Sequence, residues 1–152
     1  MAPCSRHGIW SGGTVNEPIG AQVIAIRIAC GQLTAQHLKA LQDSVERACR
    51  VPASLPWDRQ AAAHAEIFGV LADAVNDPLA ASVLSSGAGL AYDLTVAAGR
   101  GVAGMIIGSR RRFLRHLSAG DAEAAALEVE QHFRTLHYLW RIGTSRAYPA
   151  PA

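Results

Sequence analysis

The sequence predicts an all-α protein, an antiparallel bundle of about six helices. Three observations predict it. Hydrophobic residues make up 50% of the chain and aromatics only 6%, and much of the apolar fraction is alanine, which suits closely packed helices better than sheets. Apolar residues recur at three- and four-residue steps, and no segment alternates with the two-residue period of a strand. Glycines and prolines punctuate the chain at intervals that match helix lengths.

Each element follows from these signals. Pro18 suits the first turn of a helix that runs to about Cys30, where Gly31 ends it. Thr34 can cap a second helix, in which Leu38, Leu41, Val45 and Ala48 form an apolar stripe. Residues 51–56, with Pro52 and Pro56, are a connector. From Trp57 a third helix carries Ile67, Phe68, Leu71, Ala74 and Val75 at helical steps. Asn76-Asp77-Pro78 stops it and starts a fourth, with Leu79, Val83, Leu84, Leu90 and Leu94 expected to face inward. Gly87 and Gly89 inside that helix cost roughly 1 kcal/mol each relative to alanine, and mark either a kink or a close helix approach over a cavity.

Gly99-Arg100-Gly101 is a break. Met105, Ile106, Phe113, Leu114 and Leu117 define a fifth helix ending at Gly120. Asp121 caps the last helix and Glu123 sits in its first turn, where the macrodipole favours an acid. That helix is expected to reach about Ile142 through Leu127, His132, Phe133, Leu136, Leu139 and Trp140. One domain over residues 19–143 results, flanked by tails at 1–18 and 144–152 that read as disordered, the first alternatively as a cloning remnant.

Composition excludes several classes. A net charge of +2 is too mild to imply nucleic-acid binding. Cys4, Cys30 and Cys49 are odd in number with no CxxC spacing, which argues against a disulfide framework or a cysteine zinc site and fits a reducing cytoplasm. The first residues have no signal-peptide core. No apolar run reaches membrane-span length: residues 19–30 come nearest, but Gln22 and Arg27 interrupt them. Glu66, Asp73 and Asp93 offer no carboxylate pair for acid–base work. Glycine-rich phosphate loops, nucleophile elbows and HExxH are all lacking. The expectation is a protein that is not an enzyme.

Two stretches carry more information. Residues 109–121, Ser-Arg-Arg-Arg-Phe-Leu-Arg-His-Leu-Ser-Ala-Gly-Asp, join a helix to a closing helix that bears His132-Phe133. Ala65-Glu66-Ile67-Phe68 leads to Asn76-Asp77-Pro78-Leu79. In this order they resemble the FCD domain, the C-terminal ligand-binding domain of the FadR subfamily of GntR transcription regulators. The likeness covers roughly residues 60–142, and the helices within 19–49 fit it more loosely. It implies a cytoplasmic, homodimeric sensor whose small acidic or acyl effector alters DNA binding by a winged helix-turn-helix domain. The residues before Ile19 leave no room for such a domain, so the chain is expected to be either a fragment or a stand-alone sensor, and not itself to bind DNA specifically.

Many FCD domains hold a divalent ion with an aspartate and three histidines. Those places fall here on His64, Phe68, Arg110 and His132. Only His132 keeps the family's residue, so no metal or other cofactor is expected. The alternative is zinc or nickel shared by His64 and His132, since imidazole suits both ions. His132 lies on the apolar side of its helix, either as a packed core residue or as a ligand contact. Arg110, Arg111, Arg112 and Arg115 read as a solvated helix face, or as a cluster suited to the phosphates of an acyl-CoA-like effector. If Arg110 turns inward, its planar fork could hold a carboxylate in the metal's stead, with His132 adding to a positive pole and Phe68 supplying apolar wall.

His37, His116 and His137 read as exposed. Trp57, Tyr92 and Trp140 read as core or interface anchors. Besides the sensor, two classes stay open: a dimerisation or structural module without an effector, and a small helical-bundle enzyme. An interior pocket of several hundred cubic ångströms, the usual size of ligand sites, would count against the module.

Overall fold

The computed structural model describes residues 15–147. They form six α-helices: α1 Asn16–Cys30, α2 Ala35–Cys49, α3 Trp57–Asp73, α4 Pro78–Ala98, α5 Ala103–Ser118 and α6 Ala122–Ala147. A 3-10 turn, Arg100–Val102, precedes α5. No strand occurs among the described residues, so the all-helical expectation holds.

The caps explain where these helices start. Thr34 Oγ1 accepts the His37 amide at 3.2 Å while His37 Nδ1 accepts the Thr34 amide at 3.1 Å. His37 thus fills the place that Glu or Gln takes in a capping box, and it is half-buried rather than exposed. Asp77 Oδ1 accepts from the Leu79 and Ala80 amides, with Pro78 at the first helical position. Asp121 Oδ1 accepts from Ala124. Between α5 and α6, Gly120 takes φ +71°, a conformation that glycine adopts without penalty. Both ends of the chain run further into helix than the sequence suggests. Val15 is buried and Arg134 Nη1 donates to Asn16 Oδ1 at 2.8 Å, which secures the first turn of α1. At the other end Gly143 alone does not stop α6. The rest of the two expected tails lies outside the described residues.

Neighbours close a ring, in which α1 packs on α6, α6 on α5, α5 on α2, α2 on α3, α3 on α4 and α4 back on α1. Polar ties set the antiparallel sense. Arg27–Glu123 ties the end of α1 to the start of α6 and Arg134–Asn16 ties the start of α1 to the middle of α6, and Trp57 Nε1 donates to the Thr95 carbonyl across α3 and α4. Phe68, Phe113, Phe133, Ile19, Leu41 and Leu84 are among the fully buried side chains at the centre.

Several expected facings are corrected. Leu79 is 76% exposed, because α4 presents Ala80, Leu84, Gly87 and Ala91 to the core and Leu79 falls off that stripe. Leu127 is exposed for the same reason on α6, where Ala125, Ala126 and Val129 point in. His137 is buried, one turn beyond Phe133 on the same face, and its ring lies 5.5 Å from Trp140. His116 is half-buried. Finally, α4 is long and apolar enough by length and composition to cross a membrane, contrary to the reading of the sequence. Here it packs against α1, α3 and α6.

Gly87 turns out to mark a close approach. A Cβ at this position would collide with Gln22 Oε1 and lie 2.8 Å from Gln22 Cδ. That amide is buried and donates to the Val83 carbonyl at 2.6 Å. Gly87→Ala is therefore expected to destabilise by about 1–3 kcal/mol, overpacking outweighing the helix-propensity gain. Gly89→Ala, with nothing within 4 Å, should stabilise by about 0.5–1 kcal/mol. Urea unfolding of both variants checks the pair, and equal effects would contradict it.

Candidate functional site

All four residues picked out by the FCD resemblance meet in the core. His64 and Phe68 lie one turn apart on α3, Arg110 is on α5 and His132 is on α6, and every one is buried. Arg110 is only 2% exposed, so the reading of it as part of a solvated face is overturned. Its position explains why. Arg110 follows Ile106 by four residues and precedes Phe113 by three, which puts it on the buried stripe of α5. Arg111, Arg112 and Arg115 lie on the exposed side.

The guanidinium makes few contacts for so deep a charge. Nε donates to the His64 carbonyl at 3.3 Å, and Cζ sits 5.1 Å from the centre of the Phe68 ring, within range of a cation–π contact. Phe68 is in turn stacked on Phe133 at 5.3 Å. Arg110 Nη2 has no hydrogen-bond partner among the described residues, nor has Nε2 of His132. The nearest influential carboxylate is already engaged, since Arg112 grips both oxygens of Glu128, with Nε at 3.1 and 3.2 Å and Nη2 at 3.0 Å.

Electrostatics follow from this geometry. Burial lowers the Arg110 pKa to about 10, with Glu128 pulling the other way, so the group stays cationic at neutral pH. Burial, helped by the Arg110 charge, lowers His64 to about 4. His132 is held well below the usual histidine range by burial first, then by Arg110, Arg112 and His64. Both imidazoles are therefore neutral at pH 7. The expected positive pole is Arg110 alone, and His132 brings hydrogen-bonding capacity rather than charge.

These shifts set a pH dependence. A histidine whose folded pKa lies below its unfolded value binds fewer protons in the folded state, so stability rises with pH across that window. The contribution is complete above about 6.5 and is lost as pH falls toward 4, the value for His64. Urea midpoints should drop steadily from pH 7 to pH 4.5, and His64→Gln should flatten the slope. A flat wild-type profile would refute the assignment.

The residues present do not suit a cation. Among the described residues no three His, Cys, Asp or Glu side chains could hold a metal ion together. The Arg110 charge acts on both histidines and its guanidinium lies over the Phe68 ring, an arrangement unfavourable to zinc or nickel.

The space beside the four core residues is small. Beside Arg110 and His64 lies a cavity of about 10 Å³, bounded also by Ser44 and Cys49. The larger hollows are open grooves on the surface. One of about 720 Å³ runs along α3 and α4 past Gly69, Ala81, Ser85 and Tyr92. Another of about 580 Å³ lies between α2 and α5, edged by Lys39, Arg111 and Arg115. Neither groove is lined by any of the four core residues.

Sequence reasoning missed Ser44 and Ser109, both buried with hydroxyls that lack a partner among the described residues. The signal was their register. Ser44 is three residues after Leu41 and Ser109 three after Ile106, on stripes otherwise apolar. No protein-family model, no curated protein and no solved structure matches this chain.

Proposed function

We propose that this chain is the effector-sensing domain of a transcription regulator of the FadR type, similar to FCD domains, and that Arg110 is the anchor for an acidic or acyl small molecule. The observation that supports it most is a guanidinium sealed in an apolar core with no carboxylate partner among the described residues. A protein gains no stability from leaving a buried charge uncompensated, whereas a site awaiting a carboxylate uses it directly. His132 Nε2, also unpartnered, supplies a second polar contact, and Phe68 with Phe133 supplies apolar wall. In this reading the effector parts the helices around Arg110, and the changed packing alters how a homodimer holds its winged helix-turn-helix domains.

A second reading, a packing or dimerisation module without an effector, is favoured by the cavity of only about 10 Å³. A thermal-unfolding screen of small mono- and dicarboxylates and short acyl acids separates the two. An acid present at about 100 times its Kd should stabilise the domain by about 2.7 kcal/mol. If no acid raises the midpoint, the sensor reading fails and the module stands.

A further inference from the structure

We infer that the exposed face of α1 is the contact surface of a homodimer, in which α1 of one copy lies antiparallel on α1 of a second copy. The face is a stripe at helical steps, since Glu17, Gly20, Ile24, Arg27 and Ile28 are all exposed. Ile24 is 59% and Ile28 40% exposed. The register set by Arg27–Glu123 and Arg134–Asn16 brings Leu127 of α6, also exposed, level with Ile24. Apolar side chains exposed singly need no explanation, but three gathered in one patch mark a contact surface.

Charge and shape together say what covers it. Glu17 lies in the first turn of α1 and Arg27 in the last, where the helix dipole favours each sign. The same placement makes the stripe complementary to its own reverse. With a two-fold axis level with Gln22, Glu17 of each copy lies against Arg27 of the other, and Ile24 of each lies over Gly20 of the other. Arg27 already holds Glu123 at 2.8 Å, so Glu17 of the second copy adds a third charge to that pair. Gly20 supplies the hollow for Ile24. It sits inside a helix, where alanine is more favourable, and a Cβ there would meet nothing within 4 Å. The chain's own packing therefore gives no reason for this glycine, whereas a second helix lying close to it does. One register satisfies both the ion pairs and the interdigitation, as a two-fold contact between identical surfaces requires. The inference names the face for the homodimer of the reading above but is independent of Arg110: the dimer can form when no acid binds, and acid binding can stand when this face fails.

Sedimentation velocity of the full chain over a wide concentration range tests it. Wild type should sediment as a species of twice the 16.0 kDa chain mass that dissociates on dilution. Ile24→Glu should raise the dimer Kd at least about a hundredfold, because each copy loses an apolar side chain and gains an unpaired charge at the contact. Gly20→Leu should raise it about tenfold or more by filling the hollow. At concentrations where both proteins are monomers, Gly20→Leu should unfold at higher urea than wild type, so fold and dimer respond in opposite directions. Glu17→Arg should weaken the dimer about tenfold, an effect that fades at high salt. Leu55→Ser, on the loop between α2 and α3, should leave it unchanged. If Ile24→Glu folds poorly, Gly20→Leu decides. A monomer at every concentration would overturn the inference. So would a dimer that tolerates both Ile24→Glu and Gly20→Leu, since its contact would lie on another face.

Discussion

Phe133→Ala is expected to cost about 3–5 kcal/mol of folding stability, the range for removing a large aromatic from a packed core. Phe133 is fully buried, is stacked on Phe68 at 5.3 Å and lies on α6 beside His132. Deleting its ring leaves a cavity where α3 and α6 meet. Small domains are stable by only about 5–15 kcal/mol in total, so the variant should unfold at markedly lower urea concentration. Tyr138→Ala on the outer face of the same helix, 62% exposed, should change stability by no more than about 0.5 kcal/mol. A loss below 1 kcal/mol for Phe133→Ala would mean that the helices do not pack as described.

Arg110→Met should do the opposite and stabilise the fold. Methionine fills much of the same space without a charge, and replacing buried ionic groups by apolar ones of similar volume often gains about 1–4 kcal/mol. The hydrogen bond to the His64 carbonyl and the contact with Phe68 are lost, yet neither offsets the full desolvation of a guanidinium. Urea denaturation of wild type and variant checks this. If Arg110→Met is instead less stable by more than 1 kcal/mol, the guanidinium serves the fold and is not held ready for a ligand.

Much of this architecture was legible because its signals were local. Thr34, Asp77 and Asp121 cap the helices they precede, and the apolar positions Ile67, Phe68 and Leu71 of α3 are buried, as are Ala74 and Val75, which the periodicity had placed in the helix but which lie just past its end at Asp73. Facing was less legible wherever two neighbouring residues were equally apolar. Leu79 and Leu127 are the larger residues of their turns, yet alanines one or two positions away lie on the buried stripe instead. Gly87 gave its position but not its cause, since the Gln22 amide that needs the space comes from a helix 61 residues away by the Val83 hydrogen bond.

For the candidate site, the spacing from Ile106 to Phe113 already placed Arg110 on the buried face, although its three arginine neighbours suggested a solvated one. That Arg110, His64, Phe68 and His132 converge depends on three helices far apart in sequence, and no local pattern contains that. The neutral state of His132 was likewise illegible, because it depends on burial and on the charges of Arg110 and Arg112.

The central claim is that Arg110 anchors an acidic ligand without a metal, and isothermal titration calorimetry tests it most directly. The acid that raises the unfolding midpoint most is titrated into wild type, into Arg110→Ala, and into wild type with excess chelator. The account predicts a loss of about 1.5–3 kcal/mol in the variant, the range for a hydrogen bond to a charged group, and no change with chelator. Equal affinity in wild type and variant, or binding abolished by chelator, would contradict it.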